Sequence, residues 1–390
     1  MNVLNKATTV AETKYVHDKL QGEIDMIAGM VEVESWADVQ KIVRAGLAAK
    51  FFAVGDQLTC QKDGTNLVWD IIGIDHDTPA DPQYTHSMTL QLHDCFQTNL
   101  QYDAPEAFYY AENGLAAGTY YFTIDSSYEP ARNTFKDTGY QFTLEHDVPV
   151  GGQLGLQWSQ NSNASSMTVS SFASADSLSA QETVPVVSGT TGSFIGNLTT
   201  LGDTVNHLNT IVRARYGNNR YQQSAIRQWL NSDKTTGQVW TPQTEFDRAP
   251  NWAASQAGFM CGLDADFLAV VGATQVVTGE PSADGGGFDT TSDRFFLISR
   301  SQAYCGNETA NVDEGAAYRY YAENSSLQNA GTGVDSNRIK YQGGSAQKWA
   351  MRTPGVTTGN IIRGIQADGG MGQWYYAYDG LGIAPACNIM

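Results

Sequence analysis

Positive charge is scarce in this sequence. Its 390 residues hold 23 Lys and Arg against 41 Asp and Glu, a formal net charge of −18. Phosphate backbones are gripped by clustered Lys and Arg, so nucleic acid is excluded as the partner, and an anionic membrane surface with it. Long apolar runs are also missing. No stretch approaches the ~20 residues that span a bilayer, so no membrane insertion is expected. The opening MNVLNKATTV has no basic segment followed by an apolar one, which points to synthesis in the bacterial cytoplasm without a signal peptide. The five cysteines (60, 95, 261, 305, 387) are odd in number, widely spaced and without a CxxC. They read as reduced, mostly buried thiols, and a Cys60–Cys95 contact is not favoured.

Catalytic signatures are absent as well. There is no GxSxG, HExxH, GxxxxGK[ST] or GxGxxG after a strand, and five of the six histidines lie before residue 150. His86 and His93 bound one expected strand, but seven residues apart they point to opposite faces and do not share a metal ion. Asp264 with Asp266, or Asp284 with Asp289, offer the oxygen ligands calcium uses. Turns carry such acids routinely, so no metal and no cofactor are expected.

What is present is a turn-rich mixture. Only 16% of residues are charged, 41% are hydrophobic and 39 are Gly, which suits a turn-rich β or α+β protein better than a helical bundle. Val16, Leu20, Ile24, Ile27 and Val31 form one helical stripe, open to two readings: packing on its own domain or joining subunits. Ser35-Trp-Ala-Asp38 resembles a capping box opening a second helix with Val39, Ile42, Val43 and Leu47. From Phe51 the period changes. Asp63-Gly64 predicts a hairpin between strands at 57–60 and 67–72. Residues 104–198 predict alternating strands at 118–124, 140–144, 153–158 and 182–187. Val205, Leu208, Ile211 and Val212 predict a helix, Ser224 caps another over 225–230, and Asp264–Val271 is a third; Arg294–Ser299 is an apolar strand.

Gln373-Trp-Tyr-Tyr-Ala-Tyr-Asp379 carries four aromatics. In a strand, Trp374, Tyr376 and Tyr378 share one face and Tyr375 takes the other, so at least one ring faces solvent. Such rings supply contact area with a polar handle and dominate binding hot spots, although plain core packing is the competing explanation.

Five blocks stand in a fixed order: Leu67-Val-Trp-Asp-Ile-Ile-Gly-Ile-Asp75, Ser224-Ala-Ile-Arg-Gln-Trp-Leu-Asn231, Asp293-Arg-Phe-Phe-Leu-Ile-Ser-Arg300, Lys348-Trp-Ala-Met-Arg-Thr-Pro354 and Gly382-Ile-Ala-Pro-Ala-Cys-Asn-Ile389. Together they resemble an uncharacterised domain family of gut Firmicutes and their phages, with a C-type-lectin-like fold related to the formylglycine-generating-enzyme group. The resemblance covers about 52–103 and 200–390. It implies an α+β architecture: a C-type-lectin-like domain with an inserted small all-β module and an N-terminal helical segment. Residues 1–51 would be N-terminal helices, 52–103 the first part of the lectin-like domain, 104–199 the inserted β-sandwich-like module, and 200–390 the main part with a C-terminal binding surface.

Members of this kind include variable proteins of diversity-generating retroelements, in which a reverse transcriptase rewrites codons at the gene's 3′ end. The resemblance therefore implies a non-enzymatic receptor- or ligand-binding protein displayed on a virion, in a tail fibre or head decoration. Its partners would be a host surface protein or glycan, other virion proteins and further copies of itself, a trimer for example. Framework positions would be Trp349, Arg352, Pro354, Asp368, Gly369, Gly382 and Pro385. Between them the ligand-binding positions would be Lys348, Ala350, Asn360, Arg363, Gln366, Met371, Gln373, Trp374, Tyr375, Tyr376, Tyr378 and Asp379. The family often has an aromatic at position 350 and Leu at 351, where this chain has Ala and Met, a change expected of a diversified site.

Calcium-dependent sugar lectins of this fold use Glu-Pro-Asn or Gln-Pro-Asp with Trp-Asn-Asp, and none of these occurs here. The formylglycine-generating oxidases need a close cysteine pair, which Cys261, Cys305 and Cys387 do not evidently supply. The alternatives are a structural virion component whose tail packs on neighbours, and an enzyme acting on a glycan or peptide. Burial of Trp374 to Tyr378 separates binding from the structural role, since a binding end must face outward.

Overall fold

The computed structural model describes residues 33–96, 99–104, 219–241, 243, 249–280, 286–306, 314–327, 334–355, 361–372 and 374–390, with the segments 108–111, 116–123, 139–144, 147, 152–157, 166–174, 177–185 and 206–207. The heptad-like stripe from Val16 to Val31 lies outside them. Ser35, in extended backbone, accepts the Asp38 amide and starts α1 (Trp36–Arg44). The Asp38 carboxylate also accepts the Ser35 hydroxyl at 2.6 Å. Val39, Ile42 and Val43 are buried on α1. Leu47 lies past its end and leads into the one-turn helix α2 (Ala48–Phe51).

Asp63 and Gly64 both take positive φ, 49° and 78°. That pair makes the two-residue turn whose twist matches paired strands, so β1 (Gln57–Lys62) folds back on β2 (Thr65–Ile74). Next in the chain come β3 (Met88–Leu92), the helices α3 (Ala225–Leu230) and α4 (Ala265–Val270), the short strands β4 (Val271–Gly272) and β5 (Phe295–Phe296), and α5 (Arg319–Asn324). They are followed by β6 (Trp349–Pro354), β7 (Ile361–Ile365), β8 (Tyr375–Tyr376) and the closing strand β9 (Ala386–Ile389). The main sheet runs β1-β2-β3-β9-β4, with β5 also on β9. Every pairing in it is antiparallel. The protein is mixed α+β, and this sheet curls into a half-barrel.

Aromatic rings cluster around Trp69 of β2. Trp69 packs on Phe259, Phe267 and Phe295 at 6.5, 5.3 and 6.2 Å between centroids, and Trp229 lies on Phe259 at 5.3 Å. Burying each such ring contributes on the order of 2–3 kcal/mol. Ser224 caps α3 through the Arg227 amide, and Asp264 caps α4 through the Asp266 amide, as their spacing predicts. The expected strand at 294–299 is paired only at β5, although Phe295 to Ile298 are all buried. Past Phe296 other groups take the backbone: the Arg352 amide donates to Ile298 O, its guanidinium donates to Leu297 O, and the Ser299 amide donates to Gln302 Oε1.

Between the opening hairpin and α3, the strands 177–185, 166–174, 152–157 and 108–111 form one sheet, and 206–207, 118–123 and 139–144 another. The expected strands near 118, 140 and 153 are present, and the one expected at 182–187 begins earlier, at Ser177. Ser166–Ser174 is also a strand, hidden in the sequence by its Ser and Ala content. Most of the helix expected around Val205–Val212 falls outside the described residues. Asn206–His207 within it pair parallel with Tyr120–Tyr121, so a helix there is incorrect: tertiary pairing overrides the local pattern. The flanks of this segment meet, with the Tyr102 and Tyr221 rings 6.4 Å apart and the Ile226 amide donating to Tyr102 O.

One expectation is overturned. The extreme carboxyl end does not face outward: residues 381–390 are all buried. β9 lies between β3 and its other partners in the sheet, the Met390 amide donates to Val270 O, and the Met390 carbonyl accepts from Gln40. A central strand is covered on both edges, which leaves nothing to present. Among the described residues no helix is long and apolar enough to cross a membrane.

Candidate functional site

The aromatic segment is carried by the second sheet, β6-β7-β8. β8 is two residues long, pairing Tyr376 with Ile361 and Tyr375 with Ile362. Opposed residues share a face, so Tyr375 turns toward Ile362, which is fully buried. Gly364, two residues on, shares that face. A Cβ added at Gly364 would meet the Tyr375 ring at 2.9 Å, and one at Gly372 would meet it at 2.6 Å. The two glycines are therefore the seat on which the ring lies. Burial pushes the Tyr375 hydroxyl up to about 12, with Asp368 and Asp379 adding to the shift.

The other face turns outward. Trp374 is 62% exposed and Tyr376 41%. Strand continuation would place Tyr378 beside them, but the chain turns at Ala377, which is fully buried and whose carbonyl accepts from the Asp103 amide. Tyr378 instead returns and stacks on Tyr376, with centroids 5.0 Å apart and planes 3° apart. The Asp379 carboxylate accepts the Tyr376 amide at 2.9 Å, and the Asp379 amide donates to Tyr376 O. Gln101 holds the Tyr378 carbonyl at 3.0 Å. This edge is thus a closed turn with its rings fixed in direction.

The remaining expected positions divide. Lys348 is exposed, with its ammonium 5.6 Å from the Tyr375 ring centre. Arg363 is half-buried on β7 and lies diagonal to Tyr376 on the same face. Gln366 is half-buried in the turn after β7, away from the rings in sequence and closed by its hydrogen bonds to Gly369 and Gly370. Asn360 and Gln373 lie outside the described residues. Ala350 and Met371 are 1% and 0% exposed, so as contact positions both are incorrect. Ala350 pairs with Gly364 inside the sheet and Met371 bridges to Ile365, leaving neither side chain a route to a ligand. The aromatic-to-Ala change at 350 is accordingly a core event.

Of the framework positions, Trp349, Arg352, Pro354, Gly369, Gly382 and Pro385 are buried and Asp368 is exposed. Arg352 donates to the carbonyls of Val277, Leu297 and Glu314 and to Gln302 Oε1. That wiring ties β6 to the loops before it.

The sequence did not single out a second cluster on the main sheet. His93 Nδ1 lies 2.9 Å from both carboxylate oxygens of Asp70, and Gln57 Nε2 donates to Asp70 Oδ1. Buried Lys340 donates to the carbonyls of Leu92 and His93. The bond to Asp70 raises the His93 pKa. Burial alone would raise Asp70, but His93, Lys340 and Gln57 together hold it below its ordinary value. Burial lowers Lys340, against the pull of Asp70. The cluster can hold and release a proton at a half-exposed imidazole. Its only sequence signal was the Asp and His themselves, since their contact depends on β2–β3 register.

The acids considered for calcium have other contacts where they are described. Asp264 caps α4, Asp289 is held by Arg220 at 2.6 and 2.7 Å, and Asp284 lies outside the described residues. Among the described residues no group of three or more His, Cys, Asp or Glu side chains converges to hold a metal. All five cysteines are unbridged, and all except Cys261 are buried. No curated protein and no solved structure matches the chain. The family described as "Domain of unknown function (DUF6273)" matches residues 196–390, half of the chain, and the protein belongs to that family.

Proposed function

We propose that this is a binding protein displayed on the virion of a bacterial virus, with a C-type-lectin-like scaffold that presents the Trp374–Asp379 edge to a host surface protein or glycan. One observation carries the proposal: two large rings, Trp374 and Tyr376, stand exposed on a turn whose neighbours Ala377 and 381–390 are buried. A folded chain that only needed core there would hide those rings, and a rigid aromatic edge is what hot spots are made of. The opening hairpin and closing strand meeting in one sheet agree with a lectin-type scaffold, which holds irregular loops without asking them to stabilise the core. The five ordered sequence blocks support the same reading. Ala350 and Met371 drop out of the proposed contact set.

The test is adsorption of the labelled full-length chain to a panel of bacterial cells. The double variant Trp374→Ala/Tyr376→Ala should lose adsorption while its melting temperature stays that of the unaltered protein, because exposed side chains change stability by only about 0.5 kcal/mol. Equal adsorption by both proteins would remove the edge from binding. Retroelement diversification has its own test. A near-copy of the gene's 3′ end, differing mainly at adenines and lying beside a reverse-transcriptase gene, is the expected finding.

A further inference from the structure

From the chemistry of this edge we infer that its ligand is an uncharged glycan, whose pyranose rings stack on Trp374 and Tyr376; the inference rests on the binding role proposed above. Three observations lead there. The first is shape: Tyr378 stacks on Tyr376 with planes 3° apart, and the amide–carboxylate bond to Asp379 fixes the turn, so Tyr376 is a flat platform of set orientation. Trp374, two residues earlier in the chain, is the other exposed ring. A pyranose offers the matching surface, a ring face of C–H bonds with hydroxyls only at its rim.

The second is charge. The chain carries −18 overall, yet beside Tyr376 stand Arg363, on the same sheet face, and Asp379, whose carboxylate accepts the Tyr376 amide, one of each sign. Balanced charge gives no advantage to an acidic or a basic ligand, whereas mixed donors and acceptors around an aromatic floor suit hydroxyl groups. The third is extent. Among the described large apolar side chains of this edge only Trp374 and Tyr376 exceed 40% exposure, and Ile361 and Ala377 beside them are buried. A protein partner needs roughly 800 Å² per side with an apolar centre, while two rings match one or two sugar units. No acid cluster converges to hold a cation among the described residues, so ring stacking would have to carry the recognition.

Two assays with the full chain test this. In affinity electrophoresis through gels containing neutral polysaccharides (dextran, mannan, galactan) or acidic ones (hyaluronate, polygalacturonate), at least one neutral polymer should retard the protein. Trp374→Ala and Tyr376→Ala should each weaken that retardation roughly tenfold or more, the scale of a hot-spot truncation. In the cell assay, periodate treatment of the cells should abolish adsorption and proteinase treatment should leave it. Adsorption that survives periodate and falls with proteinase overturns the glycan while leaving the binding role intact. Retardation confined to acidic polymers overturns it equally. Unchanged adsorption by both ring variants would instead defeat the binding role beneath it.

Discussion

At the scale of single residues, the His93–Asp70 pair makes a directional prediction about pH. The His93 pKa is raised from 6.5, so its contribution to stability is complete below 6.5 and lost as pH rises through the folded value. The Asp70 pKa is lowered from 3.8, so its contribution is present above 3.8 and lost as pH falls through the folded value. Between those limits the pair is at full strength. Raising pH from about 5 to about 9 should lower the melting temperature of the native protein more than that of His93→Gln, which cannot take a proton. Parallel slopes for the two proteins would show that the contact does not contribute. Asp70 has a further task at this scale, because it is the largest opposite charge acting on buried Lys340. Asp70→Asn should therefore cost more than His93→Gln, by up to about 3 kcal/mol in chemical denaturation, since it strands a buried ammonium.

At the scale of elements, the seat under Tyr375 decides whether β8 forms. Gly364 and Gly372 show no positive φ, so their role is space, not backbone freedom. A Cβ at Gly364 would also meet the Trp349 carbonyl at 2.7 Å. Gly364→Ala should destabilise by about 1–3 kcal/mol through overpacking. It should also tilt Tyr375 away from Lys348, with weaker adsorption measured at a temperature where the variant is folded. A variant as stable as the native chain would refute the seat. This seat was not legible beforehand, because it depends on which residue lies across the sheet. Caps and turns were legible: Ser35, Ser224, Asp264 and Asp63-Gly64 act within a few residues of themselves, so local chemistry settles them. The pattern failed at Asn206–His207, paired with a distant strand, and at Arg294–Ser299, where Arg352 and Gln302 take the backbone groups past Phe296.

At the scale of the whole molecule, the family segment 196–390 is half a sheet. Its closing strand β9 pairs with β3, and β3 with β2, and both of those lie before the segment begins. Expressed alone, 196–390 would expose one edge of β9 together with the ring surfaces that Trp69 covers. It should be insoluble or lack near-ultraviolet circular dichroism, whereas the full chain should be soluble and show the signal. A soluble, cooperatively melting 196–390 would show that the opening hairpin is dispensable.

The sequence by itself determined the composition class, the helix caps, the hairpin and the concentration of aromatics near residue 375, all of which follow from neighbours in the chain. Only the tertiary structure decided which rings are exposed, that Ala350 and Met371 are hidden, that Asp70 meets His93, and that the last ten residues are core. The physical reason is common to all four. Each depends on sheet pairings between residues tens to hundreds of positions apart, and a side chain's face is set by its register with those partners, which local pattern does not encode.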